Sequence, residues 1–366
     1  MRTSTWRRPV IGVACFALAL TTVAACSSSK GSATGSGGST TAATGAPAAA
    51  SGKISIAYIQ KQADQTYFVG EKSGAQAEAA KLGIQITFYP LSDQADDSAA
   101  VDAVNQAIAK KVNGIIIVPP DGAVGPTVSQ LASAAGIKMM SSDDQVCTNN
   151  PDPTKCAASA LLPRVGFDGT EMGTEVGKEA ATLFKQYGWS AADTAVVSAW
   201  DPTVTVCTQR IQGAKTAFAA NGGSAAKMID LNTDNTPSGA QDKASAMLTA
   251  NQGVKNWVVW GCNDENVSGV VTAMQNAGIS PNNIDGVALG GYLACKPWNA
   301  NTPTGIKASL YISGADVGKT SVDVMNDWLA NGKQPAQQTF APTHMITPSN
   351  WKTTMSAADV QTCVGS

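Results

Sequence analysis

From Lys53 onward the chain alternates short β-branched runs with longer stretches whose apolar residues recur every three or four positions. Residues 54–59 read as a strand and 67–82 as a helix; 84–89 and 98–111 repeat the pair. Residues 114–118 form a third strand, closed by Pro119, Pro120 and Asp121, and 137–140 a fourth, closed by Ser141, Ser142, Asp143 and Asp144. Strands this apolar on both faces belong in the middle of a parallel sheet covered by helices. Past a loop rich in Asn, Asp and Pro the rhythm restarts. Helices over 171–187, 207–220, 239–250 and 265–277 are interleaved with strands over 194–198, 226–231, 257–260 and 286–289. Two βα arrays of similar size predict an α/β fold of two doubly wound parallel-sheet lobes.

Ahead of Lys53 the pattern is different. Arg2, Arg7 and Arg8 introduce an apolar run over 10–20, too short to span a bilayer, and Val23, Ala24 and Ala25 precede Cys26. That is the build of a secretory signal peptide over 1–25. Its end resembles a bacterial lipobox, which implies lipid attachment at Cys26. Residues 27–52 are almost wholly Ser, Gly, Thr and Ala and predict a flexible tether, reaching roughly 25–30 Å as a coil. The expected product is an exported lipoprotein on the outer face of the bacterial cytoplasmic membrane.

About 314 residues then remain, enough for two domains. Without the three signal arginines, 22 Lys and Arg stand against 27 Asp and Glu, a net charge of about −5. That balance, with no basic cluster carrying interleaved aromatics, excludes nucleic acid as a partner. Six of the eight cysteines follow the tether, and an even number in an oxidising compartment suggests three bridges. Cys147–Cys156 closes a short polar loop. The other four allow three pairings, of which we favour Cys207–Cys262 with Cys295–Cys363. The spacings lack a zinc pattern, and the single His344 offers little to complete one, so no metal or cofactor is expected.

In doubly wound sheets, ligands sit beyond the carboxyl ends of the strands. Lys61, Gln62, Gln65, Tyr67 and Phe68 follow the first strand, Val118 closes the third, and Asp143 and Asp144 follow the fourth. Trp200, Asp201, Arg210, Cys262, Asn263 and Asp264 hold the matching places in the second array. Singly, such residues read as turns, helix caps or solvated charges. Together they make a cleft of carboxylates, cations, amides and flat rings, suited to the hydroxyls and C–H faces of sugars and sugar alcohols. Asp143 and Asp144 are adjacent rather than facing across a bond, and His344 has no triad neighbours, so an enzyme is not expected.

The aromatic pair after Lys61-Gln62, Ser-Asp-Asp-Gln at 142–145, Gly-Cys-Asn-Asp at 261–264, the stretch Gly166 to Gly177, Arg210 with Gly213, and Trp328 carry a resemblance. The chain resembles the type I periplasmic sugar-binding family, the receptors of ABC importers, nearest its arabinose-binding members. The resemblance implies lobes of 53–167 plus 310–338 and of 168–309 plus 339–366, joined by three crossings and closing on the ligand. It implies that Lys61, Asp143 and Asn263 bond hydroxyls, Asp144 the anomeric hydroxyl, and Arg210 the ring oxygen. Tyr67 stands where the family stacks a tryptophan, and Val118, Phe167, Val204 and Cys262 fall at apolar contacts. Gln65 replaces a family glutamate, and Gly290 and Leu293 replace an asparagine and an aspartate, which implies a smaller, acyclic or less hydroxylated ligand than L-arabinose. The implied partners of a monomeric receptor are a neutral carbohydrate or alditol and an importer's membrane permease. An amino-acid receptor of the same fold is the alternative, with Arg210 and Lys61 as its only carboxylate site.

Overall fold

The structure is a computed structural model that describes residues 53–92 and 96–365; the stretches expected to be a signal peptide and a tether, and Cys26 between them, lie outside the described residues. The first lobe begins β1 (Ser55–Gln60), α1 (Thr66–Leu82), β2 (Gln85–Pro90), α2 (Asp97–Ala109), β3 (Gly114–Val118), α3 (Gly125–Ala134), β4 (Lys138–Asp143) and β5 (Arg164–Gly166). The second follows with α4 (Gly169–Gln186), β6 (Thr194–Trp200), α5 (Thr205–Ala220), β7 (Lys227–Asn232), α6 (Pro237–Thr249), β8 (Asn256–Gly261), α7 (Asp264–Asn276), β9 (Ile284–Gly290), α8 (Cys295–Asn299) and β10 (Ile306–Tyr311). The chain then returns to the first lobe for α9 (Gly314–Asn331) and β11 (Gln338–Phe340). It ends in the second with β12 (His344–Ile346), α10 (Trp351–Thr354) and α11 (Ala357–Val364).

The two sheets share one order, β2-β1-β3-β4-β5-β11 and β7-β6-β8-β9-β10-β12. All pairs are parallel except β12, which runs antiparallel to β10 at an edge. The strand order reverses at β1/β3 and at β6/β8, the switch points where a doubly wound sheet opens a crevice for a ligand. Residues 56–59 and 115–118 are wholly buried, as two-sided strands require.

The chain passes between lobes three times, after β5, after β10 and after β11. Two crossings fall a few residues from the positions expected at 309/310 and 338/339. β10 keeps its ladder with β9 out to Tyr311, and β11 pairs with β5 from Gln338 to Phe340, so the chain crosses at 312–313 and 341–343. Each strand completes its hydrogen bonds before the chain leaves the sheet.

Equivalent helix pairs cover the two sheets at backbone distance, α1 with α9 and α4 with α5. A Cβ added to Gly318 would lie 1.9 Å from the Glu71 carbonyl oxygen, and one on Gly173 the same distance from that of Arg210. Only glycine permits either approach. Among the described residues, three disulfides join Cys147 to Cys156, Cys207 to Cys262, and Cys295 to Cys363. The second ties the start of α5 to the end of β8, and the third fastens α11 to α8.

Gly318→Ala is therefore expected to destabilise the protein by about 1–3 kcal/mol through overpacking between α1 and α9. Gly253→Ala, where nothing lies within 4 Å of the added carbon, should be neutral. Thermal unfolding of both variants checks this; equal melting temperatures would remove the close-packing argument.

Candidate functional site

The carboxyl ends of both sheets meet around one cavity of about 50 Å³. Lys61, Gln65, Tyr67, Phe68, Asp143 and Asp144 line it from the first lobe, and Val204, Arg210, Cys262 and Asn263 from the second. The structure thus gathers ten of the fourteen ligand-site residues expected from sequence. The other four lie elsewhere. Val118, the last residue of β3, and Phe167, just past β5, are buried in the core. Trp200 is buried beneath the Lys215 ammonium, 5.4 Å from its ring centre. Gly290 lies beside a separate cavity on the hinge side.

Two local conformations aim the first-lobe groups. Asp143 has φ 59° and Gln62 φ 42°, left-handed values that non-glycine residues adopt at a cost and that cluster at binding sites. Asp143 is held from below: Arg164 donates to its carbonyl oxygen at 2.5 Å, and the Tyr67 hydroxyl to its carboxylate at 3.3 Å. The Tyr67 ring meets Phe68 edge-on, with centres 5.0 Å apart. Burial, then the adjacent Asp144 charge, raises the Asp143 carboxyl above the ordinary range, against the pull of Lys61, Arg210 and Arg164. Lys61 forms an ion pair with Asp144 Oδ2, and both residues are under a tenth exposed.

In the second lobe, Arg210 lies on α5 and donates from Nη1 to the Cys262 carbonyl at 2.9 Å. Asn263 caps α7, accepting from the Asn266 amide at 3.0 Å and donating to the Asn235 carbonyl at 3.1 Å. Asp264 turns away from the cavity, accepting from the Leu293 amide at 2.8 Å and the Ser309 hydroxyl at 3.0 Å. Among the residues lining the cavity, two charged-group atoms are buried without a protein partner, Asp144 Oδ1 and Arg210 Nε.

Gln62, named with the strand-end residues, also lines the cavity, and the structure adds Val206, Cys207, Asn235, Leu289, Tyr292 and Ile312. Tyr292 matters most among these. Its hydroxyl donates to Glu265 Oε2 at 2.9 Å, and a Cβ on Gly290 would come within 2.5 Å of its ring. The strand-end rule points at this turn, but the sequence cannot tell which of residues 290–293 faces inward.

A family profile for the periplasmic binding protein domain matches residues 56–334. The chain belongs to this family. It is 26% identical over 303 residues to the ABC transporter L-arabinose-binding periplasmic protein of Azospirillum brasilense, covering 82% of this chain and 88% of that one. It is 25% identical over 301 residues to the L-arabinose-binding periplasmic protein of Escherichia coli K12, covering 82% and 89%. A solved ABC transporter periplasmic solute binding protein from Actinobacillus succinogenes, with bound D-allose, superposes with a TM-score of 0.70. It is 22% identical and covers 82% of this chain and 99% of that one. This periplasmic binding protein is a substrate-binding component, not an enzyme.

Two carboxyls beneath the site give it a pH signature. Glu71 is pushed up to about 7 by burial and then by Asp143, and Glu265 to about 7 by burial and then by Asp264. Both bind their proton more tightly folded than unfolded. Their contribution to stability is thus full below about pH 4.5 and falls as pH rises through about 7. Glu265→Gln should make that decline shallower in denaturant melts taken between about pH 5 and 8. An unchanged slope would contradict the assignment.

Proposed function

We propose that this periplasmic binding protein is the lipid-anchored receptor of an ABC importer and closes on a neutral monosaccharide or small sugar alcohol. The observation that carries the reading is a pair of buried, unpartnered atoms on residues that line one cavity from different lobes, the acceptor Asp144 Oδ1 and the donor Arg210 Nε. A buried polar atom left unpaired costs about 1–3 kcal/mol, and more when charged. Hydroxyls satisfy both atoms, because each donates and accepts.

The charge pattern favours neutral ligands over amino acids. Lys61 is already paired with Asp144, and a ligand carboxylate would have to approach Asp143 and Asp144 to reach Arg210. Phe68, Tyr67 and Tyr292 supply flat surfaces for C–H faces. The names of the two arabinose-binding relatives point to the same ligand class.

Titration calorimetry over pentoses, hexoses, deoxy sugars, alditols and amino acids tests the ligand class. At least one neutral sugar or alditol should bind at micromolar strength or better, about −8 kcal/mol; heat with amino acids alone would overturn the reading. Asp144→Ala leaves Lys61 buried without its partner, and Arg210→Ala removes the donor from the other wall. Each should weaken binding by about 2–4 kcal/mol, roughly 30- to 1000-fold, with folding intact. Full affinity in both variants would show that the site lies elsewhere.

For the anchor, the supporting feature is the run Val23-Ala24-Ala25-Cys26. Cys26→Ser should shift the protein from the membrane fraction to the soluble exported fraction. A variant that still sediments with membranes and carries the same lipid label would contradict anchoring at this cysteine.

A further inference from the structure

The inner cavity of about 50 Å³ is far below the roughly 300–1,000 Å³ of typical ligand sites. It is not isolated. Asp144, Val204 and Val206 also line a middle chamber of about 150 Å³. That chamber in turn shares Asp121, Gly122, Thr154, Thr205 and Gln209 with an outer groove of about 680 Å³. Both lobes line all three spaces.

The outer wall is a built feature. The segment stapled by Cys147–Cys156 forms part of it, with Pro151, Asp152 and Thr154 facing the groove. It packs on the turn after β3 at backbone distance: a Cβ on Gly122 would lie 2.4 Å from the Pro151 carbonyl oxygen, and one on Gly125 2.8 Å from that of Cys147. The facing wall is α5 with the start of α4, which present threonine hydroxyls and the exposed amides of Gln209 and Gln212. The charges along this path are directed to the protein itself. Arg164 donates to the carbonyls of Asp143 and Phe167 and to the Gln338 side chain. Asp121 and Asp152 accept from the backbone amides of Ala123 and Thr154. Beyond Asp121, Asp144, Asp152 and Arg164, the polar groups lining the space are hydroxyls and amides, and its only cation, Arg164, is engaged by carbonyls and an amide.

We propose that the middle chamber and the outer groove form a second subsite that takes a neutral glycosyl unit, so that the preferred ligand is a disaccharide or glycoside with one end unit held between Asp144 and Arg210. This rests on the sugar reading of the inner site and extends it outward. Threonine and glutamine match a ring of hydroxyls with donors and acceptors in equal measure. The shared residues Asp144, Val204 and Val206 make the two subsites continuous, and the stapled loop gives the first-lobe wall of the outer one a set shape.

The test is calorimetry with the purified protein, comparing L-arabinose, D-xylose, D-glucose and D-galactose with arabinobiose, xylobiose, cellobiose, lactose and melibiose. At least one disaccharide should bind about tenfold or more tightly than its component monosaccharides, a gain of about 1.4 kcal/mol. Gln209→Ala, which removes an amide, and Gln212→Trp, which fills the groove, should each weaken that disaccharide about tenfold while changing monosaccharide affinity less than about twofold. Monosaccharide binding with every disaccharide equal or weaker, or with both variants silent, overturns the second subsite and leaves the inner one standing. Absence of heat with every sugar removes the inner reading and this proposal with it.

Discussion

Lys61 and Asp144 face each other at a depth where either residue is less than a tenth exposed, and a charge at that depth costs several kcal/mol to bring out of water. Such a pair survives only if its remaining hydrogen-bonding capacity is used. Here it is used in part. Asp144 Oδ2 meets Lys61, while Oδ1 has no partner; in the facing lobe Arg210 Nη1 meets a carbonyl, while Nε has none. Each lobe carries an incomplete network, and the missing partners are complementary. A ligand bridging the two gains both sets of bonds only when the lobes are together. In the proposed receptor, that difference in affinity between open and closed forms would drive closure.

Incomplete networks recognise a ligand only if their members cannot relax onto one another. The packing prevents this from both sides. Arg210 is seated by the backbone contact of α5 on Gly173, and the disulfide one turn away joins Cys207 to Cys262, whose carbonyl the guanidinium holds. Asp143 stands on a buried polar stack. Tyr58 donates to Glu71 at 2.7 Å, Ser142 bonds both, and Ser321 on α9 reaches Ser142 at 3.3 Å. The returning helix thus braces the strand end that carries both carboxylates. Glycines between helices and polar groups beneath the sheet serve one purpose, a wall that keeps its shape.

Much of this was legible in the chain because parallel strands buried on both faces announce themselves as apolar runs. Asp143, Asp144, Lys61 and Asn263 then follow from the rule that ligands meet strand ends. The rule says which end of a strand to inspect, but not which side chains there turn inward. Val118, Phe167 and Trp200 stand at the right ends and face the core instead. The last strands were harder to read. β10 is the final parallel strand of the second sheet, yet the helix that follows it covers the first, so the βα rhythm breaks at the crossing. Ile312, just past β10, was invisible for that reason. Tyr292 was hidden differently, in a turn whose two glycines at 290 and 291 have positive φ and leave no periodicity to follow.

That turn explains how the far end of the inner site is built. Gly290 stands where the resemblance implies a polar anchor, but its φ is 138° and any Cβ would press on the Tyr292 ring at 2.5 Å. A side chain at 290 and the present position of Tyr292 are therefore mutually exclusive. The ring is fixed in turn by its hydroxyl bond to Glu265. A hydrogen-bonding group has thus given way to a buried aromatic wall, and the chemistry of discrimination changes with it. An anchor selects a hydroxyl at one position and penalises its absence, because the site's own polar group is then left unpaired. A wall selects by shape, tolerates a missing hydroxyl and excludes a bulky one. In the proposed site, specificity would fall at one end to the Asp144–Arg210 gap and at the other to the face of Tyr292, so the directions open to a ligand are unequal. The ring closes the hinge side, and the path past Val204 toward Gln209 remains.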